Sequence, residues 1–123
     1  MSTTVVDNKR FILDYLAALS GHAKTDALID EYVSDPGLKE HIRQAEDAFP
    51  EYELIAYRVA ADGDLVAVHG FVRGLHKGEF AGIKATGRSI SADLMIFYRV
   101  AEGRIAEHWL QLDTKAILDQ LSS

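Results

Sequence analysis

Cysteine is absent from this chain of 123 residues. Its absence excludes disulfide bonds, thiolate metal ligands and a thiol nucleophile. The five histidines show neither the HxH nor the HExxH spacing of common metal sites. We therefore expect no metal.

Motifs for nucleotide cofactors and for serine nucleophiles are missing as well. The chain contains no GxGxxG sequence, no Walker loop and no GxSxG elbow. The four glycines of segment 74–87 have a different spacing and follow no βα unit. We therefore expect a protein that works without a cofactor.

Positive charge is scarce, with 13 Lys and Arg against 19 Asp and Glu and a net charge of −6. Surfaces that bind nucleic acid or anionic lipid are basic, so we expect neither as a partner. No apolar run approaches the roughly 18 residues of a membrane helix. Asp7 and Asp14 interrupt the N-terminal apolar stretch, unlike a signal peptide. These features predict a soluble cytoplasmic protein.

The first half of the chain carries helical patterns. Apolar residues recur at three- and four-residue steps over 4–19. Thr25 is a suitable N-cap for a short helix over 26–33. Asp35, followed by proline, starts a third helix over 36–48.

The second half carries strand patterns separated by glycine turns, and it ends in a short helix over 113–121. The four predicted strands cover 52–60, 65–73, 89–100 and 104–112. Helices followed by a strand meander predict an α+β fold, with helices packed on one face of an antiparallel sheet. We expect a single domain spanning 1–123.

The third predicted strand has large apolar residues on both faces, because Leu94 and Tyr98 alternate with Met95 and Phe97. A sheet covered on one face only would alternate between apolar and polar residues. We therefore expect a cover on each face: a curved sheet closing over a cavity, a partner subunit, or both. The expected partners are a small hydrophobic molecule and a second copy in a homodimer.

The fourth predicted strand places Glu107, Trp109 and Asp113 on one face. Carboxylates beside an indole suit a cavity for a ligand with polar and apolar parts. A solvated outer face is the alternative. Glu107 and Asp113 lie ~20 Å apart on a straight strand and cannot act as a direct pair. For Asp113, capping of the last helix is a further alternative.

Asp93 and His76 are further candidates for proton transfer. Asp93 lies in a strand among apolar residues, and burial there would raise its pKa towards neutrality. A half-exposed ion pair with Arg99 or Arg73 is the alternative. His76 lies in the glycine-rich loop, where functional residues are common, although a structural histidine is an alternative. The aromatic candidates for lining the cavity, unless they are plain core residues, are Tyr15, Phe80, Phe97 and Trp109.

Five segments, in their order and spacing, resemble the SnoaL-like polyketide cyclase family. They are AFP (48–50), DGDLVAV (62–68), GLHKGEFAGI (74–83), IFYRVAEGRIAEHW (96–109) and LDQL (118–121). The resemblance covers about 46–121 well and the N-terminal helices loosely. It implies the nuclear-transport-factor-2-like cone, in which helices and a strongly curved antiparallel sheet enclose a deep pocket.

The resemblance also implies a chemistry, namely ring closure by intramolecular aldol condensation without metal or cofactor. A pocket carboxylate in the last strands moves the proton. The candidate positions for it are Glu107 and Asp113, with Asp93 facing them from the neighbouring strand, and the resemblance does not choose among them. His76 matches a loop histidine. We therefore expect a cyclase- or isomerase-type enzyme for a hydrophobic, polyketide-like carbonyl compound. A non-catalytic ligand-binding or dimerising module of the same fold is the alternative.

Overall fold

A computed structural model describes residues 2–122, and the side chains of residues 7–122. Three helices precede four strands, and a fourth helix ends the domain. The helices are α1 (Ser2–Leu19), α2 (Asp26–Tyr32), α3 (Pro36–Ala48) and α4 (Thr114–Ser122). The strands are β1 (Glu53–Asp62), β2 (Leu65–Leu75), β3 (Ser89–Ala101) and β4 (Arg104–Leu112). The predicted α+β fold is confirmed.

Helix starts follow local hydrogen bonding. The Thr25 hydroxyl accepts a hydrogen bond from the Leu28 amide at the start of α2, at 3.2 Å. The Asp35 carboxylate accepts from the amides of Gly37 and Leu38 at the start of α3. These caps satisfy amides that have no partner within the helix, which is why both helices begin where the sequence predicts.

The four strands form one antiparallel sheet in the order β1-β2-β3-β4, as an uninterrupted meander. A β-bulge between Ala56 and Arg58 interrupts the register of β1 against β2. Opposite the bulge, Gly70 approaches β1 so closely that an added Cβ would lie 2.1 Å from the Ile55 carbonyl oxygen. Bulges bend and twist a strand, so this close packing contributes to the curvature of the open sheet.

The core lies between the helices and the inner, concave face of the sheet. On β3, the inward residues Leu94, Ile96 and Tyr98 are buried. They pack in one cluster with residues of α1, including Ile12 and Tyr15. A second cluster joins the end of α3 to α4 and the start of β3. The two clusters leave a space between them, on the concave side.

The outer face of the sheet stays uncovered within the domain. Its large apolar residues are about half exposed, with Met95 at 60%, Tyr57 at 56%, Trp109 at 51% and Phe97 at 49%. The curved sheet thus has its inner face covered by helices, and its outer face has no cover within the domain. No described helix in residues 2–122 is long and apolar enough to cross a membrane.

Candidate functional site

A cavity of about 490 Å³ opens between the concave sheet face and the helices. Its volume falls within the range of small-molecule sites, roughly 300–1,000 Å³. Most of its wall is apolar, and every strand and three of the helices contribute. The apolar wall includes Leu38, Ile42, Phe49, Leu54, Val72, Phe80, Ile90, Leu94, Ile96, Leu110, Leu112 and Ile117.

Three tyrosines bring hydroxyl groups to the mostly apolar cavity. Tyr15 of α1, Tyr52 of the segment before β1 and Tyr98 of β3 all line it, and all three are buried. The rings of Tyr15 and Tyr98 meet edge to face, with centroids 5.6 Å apart and planes at 77°. We call these three residues the tyrosine cluster.

Burial keeps the tyrosine cluster protonated. It raises the pKa of Tyr15, Tyr52 and Tyr98 above the ordinary value, because a phenolate would lose its hydration. The nearby hydroxyls of Tyr98 and Tyr52 raise the pKa of Tyr15 further. Each hydroxyl can therefore donate a hydrogen bond at neutral pH.

These hydroxyls are available to a ligand. The hydroxyls of Tyr15 and Tyr98 hydrogen-bond each other. The hydroxyl of that pair that does not donate to its neighbour, and the hydroxyl of Tyr52, can each donate to a ligand oxygen in the cavity.

Lys24 contacts Tyr52 of the tyrosine cluster. Its ammonium group is buried and donates to the carbonyl oxygens of Tyr52 and His22, both at 2.8 Å. It also lies 4.0 Å from the centre of the Tyr52 ring and 3.5 Å from the Glu46 carboxylate. Burial lowers the pKa of Lys24, and Glu46 opposes that shift. This lysine fixes the position of Tyr52 without lining the cavity.

His41 is a histidine of the cavity wall, on α3. It follows Leu38 by one turn on α3 and lines the cavity. Burial lowers its pKa below the ordinary 6.5, and the charge of His108 lowers it further. Its ring nitrogens have no hydrogen-bond partner in the described part of the chain and are not fully sealed. His41 is therefore a neutral imidazole at pH 7 with a nitrogen free to accept a proton.

Four exposed polar residues also line the cavity. They are Gln44 and Asp47 of α3, Arg73 of β2 and Glu79 of the glycine-rich loop. Arg73 is engaged with Glu53, at 2.9 Å. The lining thus combines these exposed polar residues, His41 and the tyrosine cluster with a mostly apolar wall.

Two of the residues expected to bind a ligand lie at the cavity, and two do not. Tyr15 and Phe80 line it, and Phe80 packs on Phe49 with ring centroids 5.3 Å apart. Phe97 and Trp109 face away from it on the outer sheet face, where they pair across β3 and β4. Successive side chains of a strand point to opposite faces of the sheet. The residues before and after Phe97 and Trp109 in the chain therefore face inward, and these two face outward.

The expectation that an acid of the last strands projects into the cavity is wrong. Asp93 and Glu107 lie exposed on the outer face, and Glu107 forms an ion pair with Arg99. Asp113 accepts a hydrogen bond from the Ala116 amide at 3.1 Å and caps α4, as its alternative interpretation predicted. All three carboxylates lie outside the cavity, because the inward face of β4 carries Leu110 and Leu112 instead.

His76 is buried in the loop rather than displayed at the mouth. Its Nδ1 accepts a hydrogen bond from the Thr86 amide at 3.1 Å and lies 3.0 Å from the Thr86 hydroxyl. Its Nε2 has no partner among the described residues. The backbone adds two further hydrogen bonds, from His76 to Arg88 and from Gly87 to His76. These hydrogen bonds let His76 hold the two ends of the loop together, and that loop places Glu79 and Phe80 at the cavity.

Three residues line the cavity without having been predicted as site residues, namely His41, Tyr52 and Tyr98. The signal for His41 was its position three residues after Leu38 and one before Ile42, on the inward stripe of α3. Tyr98 lies on the strand face that also carries Leu94. Within residues 7–122, no group of three or more histidine, aspartate or glutamate side chains could hold a metal ion.

A family model for the SnoaL-like polyketide cyclase matches residues 9–121. No curated protein sequence matches at a significant level. AclR of Streptomyces galilaeus, a proposed hydroxylase, superposes with a TM-score of 0.80 at 24% identity, over 96% of this chain and 82% of its own. IdmH of Streptomyces antibioticus, a proposed polyketide cyclase, gives 0.76 at 23%, over 94% and 99%.

A third structure, an NTF2-like protein of Burkholderia thailandensis, superposes with a TM-score of 0.68 at 16% identity, over 93% of this chain and 96% of its own. At such identities the structural likeness establishes the fold. It confirms the cone-shaped α+β architecture that the sequence motifs imply.

Proposed function

The chain belongs to the SnoaL-like polyketide cyclase family, and on that premise we propose that it is a cofactor-independent cyclase-type enzyme for a hydrophobic, polyketide-like carbonyl compound. Family membership supports the cyclase-type role. The observation that carries the proposed mechanism is the meeting of a neutral imidazole, His41, and protonated phenols in one apolar cavity.

The proposed reaction begins with removal of a proton from the carbon next to a carbonyl group. A ring nitrogen of His41 takes the proton, and the electron pair of the broken C–H bond forms an enolate. The carbonyl oxygen becomes the enolate oxygen and accepts hydrogen bonds from the tyrosine cluster. Donors fixed where negative charge develops lower the barrier, and each is worth about 10²–10³ in rate.

Ring closure follows within the same molecule. The enolate carbon attacks a second carbonyl carbon, and a C–C bond forms. The second carbonyl oxygen becomes an alkoxide and takes the proton back from the His41 imidazolium. Every proton and electron pair is accounted for, so the reaction needs no oxidant. The apolar wall excludes water, which strengthens the hydrogen bonds to the enolate.

Deuterium exchange tests the proton-transfer step without knowledge of the natural substrate. A bicyclic benzylic ketone, 2-tetralone, would be incubated in D₂O, and loss of its α-proton signals would be followed by ¹H NMR. The wild-type protein should accelerate exchange over buffer, and His41→Gln should lose about 10²-fold or more of that acceleration. Equal exchange with wild type and with buffer would contradict the proposal.

A non-catalytic ligand-binding module is the second candidate. The observation that favours it is the leucine-lined face of β4, which brings no carboxylate to the cavity. On this alternative, 2-tetralone binds with a measurable affinity, for example by isothermal titration calorimetry, while its exchange rate stays that of buffer.

We also propose a homodimer formed through the outer sheet face. Support comes from Tyr57, Met95, Phe97 and Trp109, four large apolar side chains left about half exposed on one surface. Contiguous apolar surface of this kind usually marks an interface, and a two-fold dimer buries the same patch twice. A cytoplasmic location stays a prediction from the sequence.

A further inference from the structure

Two charged side chains on the outer sheet face have no partner in the same chain. Arg58 of β1 and Asp93 of β3 are both exposed there, among apolar residues that include Tyr57, Met95 and Phe97. Within the described residues 7–122, neither side chain makes a hydrogen bond or an ion pair. Two opposite charges therefore lie unpaired within one apolar surface.

The arginines that the sequence offers as partners for Asp93 are engaged elsewhere. Arg73 pairs with Glu53, at 2.9 Å, and Arg99 pairs with Glu107. Both of these ion pairs lie on the same outer face, between neighbouring strands. The carboxylate of Asp93 is therefore left as an acceptor for a group that comes from outside the chain.

The strand register sets the distance between the two unpaired residues. Arg58 lies opposite His69 of β2, and Asp93 lies opposite Phe71, two residues further along β2. Strands lie ~4.8 Å apart and rise ~3.4 Å per residue, so the two Cα atoms are about 12 Å apart. The side chains of His69 and Phe71 on the intervening strand separate them, so the ion pair does not form within one chain.

We propose that Arg58 and Asp93 form two reciprocal ion pairs in a homodimer, each Arg58 with the partner's Asp93. A two-fold axis makes such contacts occur twice, because residue i meets residue j and residue j meets residue i. The inference rests on the homodimer proposed above, and it adds the residues that fix how the two copies are aligned.

One two-fold axis accommodates both ion pairs. It lies in the interface plane, midway between the two charged residues and perpendicular to the line that joins them. By the strand register it crosses β2 between His69 and Phe71, and β3 between Met95 and Phe97. The axis therefore runs through the apolar surface, and the central apolar residues lie close to it.

The aromatic residues of the outer face fit the same axis. Phe97 of β3 and Trp109 of β4 lie opposite each other. With the strand spacings given above, the axis places this pair over its own copy in the partner subunit, to within about 4 Å in the plane of the sheet. The contact that neutralises the charges therefore also covers the exposed aromatic rings.

This match of charge and apolar surface assigns a second copy of the chain to the outer face. A purely apolar partner would bury Arg58 and Asp93 without a counter-charge, which is strongly unfavourable. A second copy supplies a carboxylate for each Arg58 and an apolar surface for the rest of the face. Complementary charges at an interface fix its register and exclude wrong partners.

Charge reversal followed by sedimentation tests the ion pairs. In Asp93→Arg each Arg58 faces a second arginine, and in Arg58→Asp each Asp93 faces a second aspartate. The Kd of the dimer should rise about 10²-fold or more in either variant, because like charges are brought together at the interface. Asp14→Arg and Arg10→Asp make the same changes on exposed residues of α1 and should leave the Kd within about two-fold of wild type.

Mixing the two reversed variants tests whether the pairing is reciprocal. An Arg58→Asp chain beside an Asp93→Arg chain has opposite charges at both contacts. The two samples should therefore combine into a heterodimer with a Kd within about ten-fold of wild type. The double variant Arg58→Asp/Asp93→Arg should dimerise by itself for the same reason. Rescue of this kind shows that the loss in the single variants does not come from misfolding.

Cross-linking locates the contact independently of charge. The chain contains no cysteine, so Arg58→Cys/Asp93→Cys introduces its only thiols. Oxidation should give a covalent dimer on a non-reducing gel, because a disulfide needs Cα atoms about 4.4–6.8 Å apart and the two positions within one chain are about 12 Å apart. Arg58→Cys alone should give no covalent dimer, because the two copies of this position lie apart.

The outcomes separate this inference from the homodimer itself. A wild-type protein that sediments as a monomer would refute the homodimer and the ion pairs together. A wild-type dimer that persists unchanged in both reversed variants would refute the ion pairs alone. Reversed variants that become monomeric but fail to combine in the mixture would refute the ion pairs in the same way, and would leave a dimer that is aligned differently.

Discussion

Tyr15 and Tyr98 meet edge to face in the cavity, with ring centroids 5.6 Å apart, one from the first helix and one from the third strand. This contact joins the helix layer to the sheet at the wall of the cavity, which both residues line. The same burial that stabilises the rings in the core raises the pKa of both phenols. Burial of the two rings therefore stabilises the core and also keeps both phenols protonated.

Removing one hydroxyl of the cluster should slow catalysis while leaving the fold intact. In Tyr98→Phe the ring keeps its packing, and the enolate loses a donor, so exchange of 2-tetralone should slow by about 10²-fold or more. Ligand affinity, measured by calorimetry, should change much less, because the ketone carries little negative charge.

Tyr32→Phe is the matched control for this substitution. The ring of Tyr32 packs on Tyr15 at 5.8 Å, but Tyr32 does not line the cavity. Its exchange rate should stay within about two-fold of wild type, since it offers the enolate no donor. Equal losses in Tyr32→Phe and Tyr98→Phe would show that the effect arises from packing.

Activity should depend on pH through His41. Burial and the charge of His108 lower the pKa of His41, so the neutral base persists below pH 6.5. Activity should therefore be constant around neutrality and fall only as the pH drops below 6.5. A profile measured by 2-tetralone exchange that falls already above pH 7 would contradict this assignment.

The same shift has a consequence for stability. Because the folded protein binds the His41 proton less readily than the unfolded chain, the free energy of unfolding should decrease as the pH falls through and below 6.5. In His41→Gln this part of the pH dependence should disappear, as measured by urea denaturation at several pH values.

Substitution of the exposed carboxylates tests whether catalysis takes place in the cavity or depends on the outer sheet face. Asp93→Asn and Glu107→Gln should each leave exchange within about two-fold of wild type, because surface charges far from a reaction contribute little. If the exchange rate of either variant fell by about 10²-fold while circular dichroism showed an intact fold, the substituted carboxylate would be the acid–base group.

The outer sheet face should carry the homodimer. Phe97→Lys places a charge in the middle of the apolar surface that Phe97 shares with Trp109, and should shift sedimentation towards the monomer. Ala85→Lys is the control, because Ala85 lies exposed in the glycine-rich loop. A wild-type protein that sediments as a monomer would contradict the dimer proposal.

Much of the fold follows from local chemistry in the sequence. Thr25, Asp35 and Asp113 mark helix starts because their side chains satisfy free amides within three residues. The hairpin turns and the helix-then-strand order are equally local. Such features need no knowledge of what packs against them.

Only some of the cavity residues can be predicted from the sequence. Alternation shows which residues share a strand face, but it does not show which face turns inward. Tyr98 and Phe97 are neighbours of similar size, and both faces of β3 carry large apolar residues. The choice is made by packing against α1 and by the curvature of the sheet.

The most direct test of the central claim is a crystal structure with 2-naphthol, which mimics the enol of 2-tetralone. We expect the naphthol ring in the cavity and its oxygen about 2.6–3.2 Å from a hydroxyl of the tyrosine cluster, with His41 beside the carbon that would lose its proton. A naphthol bound only on the outer face at Trp109, or one in the cavity with its oxygen turned away from all three tyrosines, would contradict it.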